Sequence, residues 1–463
     1  MNAKKLLKKY IQGLIQAENY PTITEYSSSG WKWLSSGQVC YLTSQGAIGL
    51  GHLPIRAANG FNLITKSAGE QQIFQEFMGM RSIIPGNPGN AVFLQYYAMT
   101  ALLTALFKKA GYQIEFSTAL IGKTNTKKTT CGEIFTRVFN RTASAVPEIN
   151  FSATEAAIYE IMDRYADTVV MIDDLTPSEN DLDAREKKRK LESIIRAYGD
   201  RVPRRRSVAF ASNSAAKEFI PINGCALITG ETFSGGKSSR SRVVILNFEK
   251  GDVDNSALSY YQENLHALPN FAYDFLRFAT EHVDEIMETI LYECTKIRGK
   301  MQGIIKLPRY IDAYGILYAA TTVFKNFILE KELLNQDETH NLIENDRESL
   351  LRIIQENDAA VSNASPGIML LESLKFAVNR EGIRVKNVAE IGEGKVTDYL
   401  IYDENFIYIT SEKLWECGRR YADYRRQYFP YKSGRELLTP LKEEGLIFLK
   451  REGVLFARPT KLQ

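Results

Sequence analysis

The sequence predicts an α/β fold: a parallel-sheet core behind an N-terminal α+β region, then a helical segment and a C-terminal helix-plus-ribbon of winged-helix type. Three observations lead there. Short apolar, β-branched runs alternate with helical stretches between Ile114 and Phe248. A loop rich in Lys and Thr follows the first of those runs and opens a helix. Residues 255–334 carry apolar side chains at helical spacing with no convincing strand.

The elements read in order as follows. Met1–Gln16 is a short basic amphipathic helix without the apolar stretch or cleavage site of a signal peptide. Val39–Leu42 and Phe61–Thr65 are strand candidates between turn tracts, SSSG at Ser27–Gly30 and PGNPGN at Pro85–Asn90. Ala91–Phe107 is the most apolar stretch, yet it is short for a bilayer and carries Gln95, Thr100 and Thr104, so it reads as a buried core helix. The core then runs strand Ile114–Ile121, helix Lys128–Phe139, helix Thr154–Tyr165, strand Thr168–Ile172, helix Ala184–Tyr198, strand Ala226–Thr229 and strand Val243–Phe248. Gln336–Glu348 is acidic and polar, a linker candidate. Helices at Ser411–Arg426 and Ser433–Glu444, followed by Leu446–Leu449 and Val454–Ala457, give the winged-helix pattern. The expected divisions are 1–90, 91–254, 255–335, 336–387 and 388–463.

Composition bounds the function. The 463 residues suggest about three domains. Apolar residues at 44% suffice for a large core, and 58 basic against 55 acidic residues leave +3, so any nucleic-acid surface must be local. The five cysteines are scattered without a CxxC, which fits a reducing, cytoplasmic setting, and the four histidines form no zinc spacing.

The chemistry concentrates in Gly122–Thr130, GKTNTKKTT. Backbone N–H groups of such a loop, with the helix N-terminus behind it, point at phosphate oxygens. Gly122, Lys123, Thr124, Asn125, Thr126, Lys127, Lys128, Thr129 and Thr130 are the cradle candidates, with Lys128 reaching the β- and γ-phosphates and Thr129 on Mg²⁺. Lys127 stands where GxxxxGK[ST] has its second glycine. A second register ending in Gly122-Lys123-Thr124 would put the apolar TALI inside the loop, and the tract also reads as a polar strand-to-helix turn. The partner motif is VVMIDD at Val169–Asp174. Asp173 would orient Mg²⁺ and Asp174 would polarise the attacking water, although Asp174 is one methylene shorter than the usual Glu; a helix cap after a core strand is the plainer reading.

These tracts, in the order GKTNTKKTT, FSATEAAIYEIMDRYADTVVMIDDL, GCALITGETF and SSRSRVVILNF, resemble the AAA+ ATPase core of helicase-like proteins from phages, plasmids and chromosomal cassettes. Those proteins are distantly related to archaeal minichromosome-maintenance helicases. The SGWKWLSSGQVCYL stretch resembles the start of the same family's domain. The resemblance implies an ATP- and Mg²⁺-dependent DNA helicase or replication initiator, working as a homo-oligomeric ring, a hexamer. It gives Arg242, with Arg240 beside it, the place of an arginine finger acting on the next subunit, Thr229 the polar sensor position, and Arg309 that of a second sensor in the lid. It also implies a pore hairpin in Arg201–Phe219, where Arg204, Arg205, Arg206 and Lys217 would meet DNA phosphates. A second basic tract, Arg419–Lys432, interleaves Arg419, Arg420, Arg425, Arg426 and Lys432 with aromatic rings and suits a single-stranded DNA surface or an exposed basic face. The rival readings are a AAA+ remodelling switch without unwinding and an inactive core serving as a DNA-binding module.

Overall fold

The computed structural model describes residues 3–17, 23–51, 53–58, 63, 67–139, 149–164, 166–175, 181–201, 222–233, 237–362, 366–380, 383–387, 389, 399–404, 406–424, 429, 431, 433–443, 447–449 and 454–457. The chain divides into two compact units, Met1–Asp358 and Ala359–Gln463.

The first unit opens with α1 (Ala3–Ala17) and five short strands, β1 (Thr24–Tyr26), β2 (Gly30–Trp33), β3 (Val39–Thr43), β4 (Gly46–Ile48) and β5 (Ile55–Ala57). β2, β3 and β4 form an antiparallel meander, and β1 pairs parallel with β5. The Phe61–Thr65 strand candidate lies almost wholly outside the described residues. Helix α2 (Glu70–Gly79) and a 3-10 turn at Met80–Ile83 lead to α3 (Pro88–Leu102) and α4 (Thr104–Lys109). Every residue of α3 from Gly89 to Leu102 is buried, as its largely apolar sequence predicts.

The expected single helix over 91–107 is broken at Leu103, and the cause is tertiary. Asp167 accepts the Ala105 amide at 2.8 Å and the Trp31 amide at 3.0 Å, while the Trp31 indole donates to the Leu102 carbonyl at 2.7 Å. Backbone groups freed by the break are thus satisfied by the core and by the N-terminal meander. Tyr41 donates to the Asp167 carbonyl at 2.9 Å, and a Cβ at Gly30 (φ +97°) would lie 2.4 Å from the Asp167 carboxylate. The SGWKWL stretch is therefore the seat of the N-terminal region on this buried acid.

The core sheet comprises β6 (Ser117–Ile121), β7 (Ile149–Asn150), β8 (Val169–Leu175), β9 (Cys225–Gly230) and β10 (Val243–Asn247). All pairings are parallel and the order is β10-β6-β9-β8-β7. Between the strands run α5 (Lys128–Thr136), α6 (Glu155–Arg164), α7 (Asp181–Asp200) and the short α8 (Lys237–Arg240). Ile158, Met162, Leu191, Ile194, Ile195 and Tyr198 of α6 and α7 pack on Val170, Ile172, Ala226 and Ile228 of the sheet. Tyr97 of α3 donates to the Ala226 carbonyl at 2.7 Å.

Four helices follow: α9 (Asn255–Glu263), α10 (Ala267–Glu281), α11 (Val283–Lys300) and α12 (Pro308–Glu330). The acidic stretch Gln336–Glu348 differs from the linker expectation, for it forms the first half of the 27-residue α13 (Gln336–Ser362). The reason is that its charges are used: Asp346 is buried, receives both guanidinium arms of Arg81 at 2.7 Å and the Tyr96 hydroxyl at 2.8 Å. Farther along α13, the Asn357 amide accepts from the Ile245 N–H at 2.8 Å and donates to its carbonyl at 3.0 Å. That pairing covers the exposed edge of β10.

The second unit carries α14 (Pro366–Arg380), β11 (Arg384–Asn387), β12 (Tyr399–Tyr402), β13 (Ile407–Thr410), α15 (Ser411–Tyr424), α16 (Gly434–Glu443), β14 (Ile447–Leu449) and β15 (Val454–Ala457). Its sheet has the order β11-β12-β13-β15-β14. Leu370, Leu374, Ala377, Leu400, Ile409, Leu414, Cys417, Leu437 and Leu441 form its core. Among the described residues no helix is long and apolar enough to cross a membrane.

Candidate functional site

In a parallel sheet, ligands gather at the carboxyl ends of the strands where the order reverses. Here that point is β6, flanked by β10 and β9, the two strands that follow it last in sequence. The GKTNTKKTT loop leaves β6 at that end and α5 begins at Lys128, as the spacing predicts.

Close packing dictates the first glycine. A Cβ on Gly122 would lie 2.3 Å from the Phe248 carbonyl, and the Gly122 amide donates to the Gly230 carbonyl at 3.2 Å. Lys123, Thr124, Asn125 and Lys127 are exposed, whereas Thr126 is buried and donates its hydroxyl to the Lys123 carbonyl at 2.9 Å. Lys127, in the place of the second glycine, adopts the left-handed conformation that glycine would supply (φ 62°, ψ 13°), and Asn125 does likewise (φ 68°). The motif's geometry is kept although its glycine is not. Lys128 Nζ lies 3.4 Å from the Lys123 carbonyl, folded over the loop. Thr130 is half-buried on the first turn of α5.

The carboxylate pair stands two strands away, on β8. Ile172 pairs with Ile228 and Leu175 with Gly230, so Asp173 and Asp174 together face the single residue Thr229. That is a β-bulge, a device that re-aims a side chain at a sheet end. Asp174 takes the strained turn (φ 69°) and is exposed, with no hydrogen-bond partner among the described residues. One oxygen of Asp173, Oδ1, accepts the Thr129 hydroxyl at 3.1 Å and also the Thr229 hydroxyl. Helix α5, strand β8 and strand β9 thus meet on one oxygen. The motifs at 122–130, 169–174 and 225–230 are brought together.

One further acid joins them that the sequence reading passed over. Glu231, directly after β9, accepts the Thr124 hydroxyl from the loop that follows β6. The signal lay in the run ITGE, where Thr229 drew attention and the acid two residues on did not.

Arg242 and Arg309 are elsewhere. Arg242 precedes β10, and its carbonyl accepts the Ser117 amide at the start of β6, so it lies at the amino edge of the sheet. The loop at the carboxyl edge is on the order of 15 Å away along the strand. Its guanidinium donates to Asp200 at 3.1 Å and to the Ser238 carbonyl and hydroxyl at 2.8 and 2.7 Å. Arg309, near the start of α12, joins the same cluster through Asp200 at 3.7 Å and Glu115 at 3.6 Å. Neither reaches the 122–130 loop of its own chain. Arg240 is half-buried in α8, where the Tyr310 hydroxyl donates to its carbonyl at 3.0 Å.

Of the DNA-contact candidates, Arg204, Arg205, Arg206, Lys217, Arg425, Arg426 and Lys432 lie outside the described residues. Arg419 and Arg420 are exposed on α15, and the Arg419 guanidinium lies 5.4 Å from the Trp415 ring centroid.

No protein-family profile and no curated protein matches the chain. Solved structures do. An active helicase, SCCmec type IV Cch, is similar over 97% of this chain and 83% of its own, at 13% identity and a TM-score of 0.62. The chain therefore shares the fold of that helicase. The X-ray structure of JCV helicase matches 51% of this chain and 72% of its own at 13% identity; its TM-score of 0.23 is too low to bear on function.

Proposed function

We propose that the chain is an ATP-hydrolysing DNA helicase or replication initiator of a mobile genetic element, with an AAA+ core, a helical lid over 255–335 and a winged-helix-like C-terminal domain. The observation that carries the reading is the meeting of Thr129, Asp173 and Thr229 beside a phosphate-type loop. Phosphate binding needs N–H groups at a helix start and a lysine with donors to spare, and the Lys123–Lys128 segment supplies both.

The donor set fits Mg²⁺. A hydroxyl and a carboxylate oxygen 3.1 Å apart are hard ligands, and this ion keeps several waters beside one or two such groups. Thr129 and Asp173 would hold it, and once bound it would offset negative charge on the phosphates. Lys128 would turn from the Lys123 carbonyl to the β- and γ-phosphates, and Thr229 would fix the Asp173 carboxylate. Arg242 and Arg309, remote from their own loop, suit a site completed by a neighbour in a ring, proposed as a hexamer. Arg204, Arg205, Arg206 and Lys217 would contact the translocating strand, with Arg419, Arg420, Arg425 and Arg426 on a second DNA-contact surface.

The test is ATP turnover by the full chain against Lys128→Ala, with and without forked DNA. Turnover and unwinding that Lys128→Ala abolishes support the reading. Turnover without unwinding favours a remodelling switch, and DNA binding with no turnover in either protein favours a binding module.

A further inference from the structure

We propose that Glu231, rather than Asp174, is the general base that activates the attacking water. The inference rests on the ATPase reading above and assigns it a residue that the motifs do not.

The geometry of the three acids separates them. Asp173 is committed, for one of its oxygens already takes two hydroxyls. Asp174 stands in the family's usual base position, but the bulge turns its backbone to φ 69°, its side chain is exposed, and no described residue orients it. A general base must be held within hydrogen-bond reach of the proton it takes. Glu231 is held. Its amide donates to the Leu175 carbonyl at 3.1 Å, and the preceding Gly230 accepts the Gly122 amide at 3.2 Å. A Cβ on Gly230 would lie 2.6 Å from the Leu175 carbonyl, so the ends of β6, β8 and β9 are laced tightly together beneath Glu231. From that seat the longer glutamate side chain reaches the phosphate loop itself, where it takes the Thr124 hydroxyl. It is half-buried, and no described cation lies within ion-pair distance of it. An anchored carboxylate at the mouth of the loop, free to accept a proton, is what water activation needs.

The step balances with water as the only co-reactant. Water oxygen forms a bond to the γ-phosphorus while its proton passes to Glu231. The bond from the γ-phosphorus to the β,γ-bridging oxygen breaks, and that oxygen leaves with the electron pair as ADP. Glu231 then returns its proton to the released phosphate.

A plainer role is available: Glu231 could serve only to staple Thr124. The substitution Glu231→Gln distinguishes the two, because a glutamine carbonyl still accepts the Thr124 hydroxyl but is not a base. Turnover and the affinity for a fluorescent ATP analogue would be measured on the full-length wild type, Glu231→Gln, Asp174→Asn and Lys128→Ala. The expected result for Glu231→Gln is turnover lowered about 10²-fold or more, in keeping with the usual weight of a general base, with analogue affinity retained within about threefold. Asp174→Asn should lose less than about tenfold in the same assay. Turnover of Glu231→Gln near the wild-type rate, or a loss in Asp174→Asn as large as in Glu231→Gln, overturns the assignment alone. Wild-type turnover no higher than that of Lys128→Ala overturns the ATPase reading and the base with it.

Discussion

Arg242 is bound to Asp200 of its own chain, at the edge of the sheet opposite Lys128. The contact is 3.1 Å, and a Cβ on Gly199 would lie 2.7 Å from the Arg242 Cδ, so the side chain is closely seated. Under the proposed ATPase reading, a cation fixed so far from its own loop would act on the nucleotide of a neighbouring copy. Two inactive variants should then complement each other. Arg242→Ala and Lys128→Ala are each expected to lose turnover by about 10²-fold or more, as for a removed transition-state donor. Mixed together they should recover part of it, because some interfaces pair an intact Lys128 with an intact Arg242. Steady-state phosphate release from the mixture checks this; additive, unrecovered rates would count against action between chains.

Lys127 holds a left-handed conformation that costs an L-residue about 1–2 kcal/mol, and glycine escapes that cost at the expense of a more flexible unfolded chain. Lys127→Gly should therefore stabilise the protein by about 0.5–1 kcal/mol, the difference of the two effects. Urea unfolding followed by circular dichroism reads it directly. A lowered midpoint would mean that the Lys127 side chain contributes more than its backbone strain takes away.

Legibility in the sequence followed the range of the interactions. The strand–loop–helix at 117–136 and the apolar–acidic strand at 169–175 were readable because each is a local pattern. The break at Leu103 was not, since it depends on Asp167 and Trp31, which lie 64 and 72 residues away by number. Charge misled at Gln336–Glu348, where acids that look like a linker belong to a helix whose Asp346 pairs with Arg81 over 265 positions. Strand β11 was missed because it reads RVKN, too polar for an apolar run to mark it, while β12 and β13 are apolar but only four residues each. At the site, the bulge that sets Asp173 against Thr229 is a register fact, and no single strand carries it. Glu231 was present in the text of the motif but acquires meaning only when β9 is set beside the loop after β6.

DNA binding should separate by salt. Phosphate contacts release counterions, and each lost contact lowers the slope of log affinity against log salt by about 0.7 on a single strand. Replacing Arg204, Arg205 and Arg206 together by Ala should flatten that slope by about 2, with no change of sequence preference. Fluorescence anisotropy on unrelated single strands at several salt concentrations measures it. An unchanged slope would remove those three residues from the DNA path.

The buried acid under the N-terminal meander makes stability depend on pH in an unusual direction. Burial pushes the Asp167 carboxyl up to about 6, against the opposing help of the Trp31 and Ala105 amides. Between the unfolded value near 4 and that folded value, the native chain holds a proton that the unfolded chain has released. Asp167 therefore favours the folded state most at low pH, and its contribution is lost as pH rises through about 6. Two units of difference correspond to about 3 kcal/mol across that window. Wild type and Asp167→Asn share every other titrating group, so the difference between their unfolding free energies isolates this one. That difference should fall steadily from pH 4 to pH 6 and level off above about 7. A flat difference would show that Asp167 stays charged throughout, held by its two amide donors and Lys32 more strongly than burial opposes it.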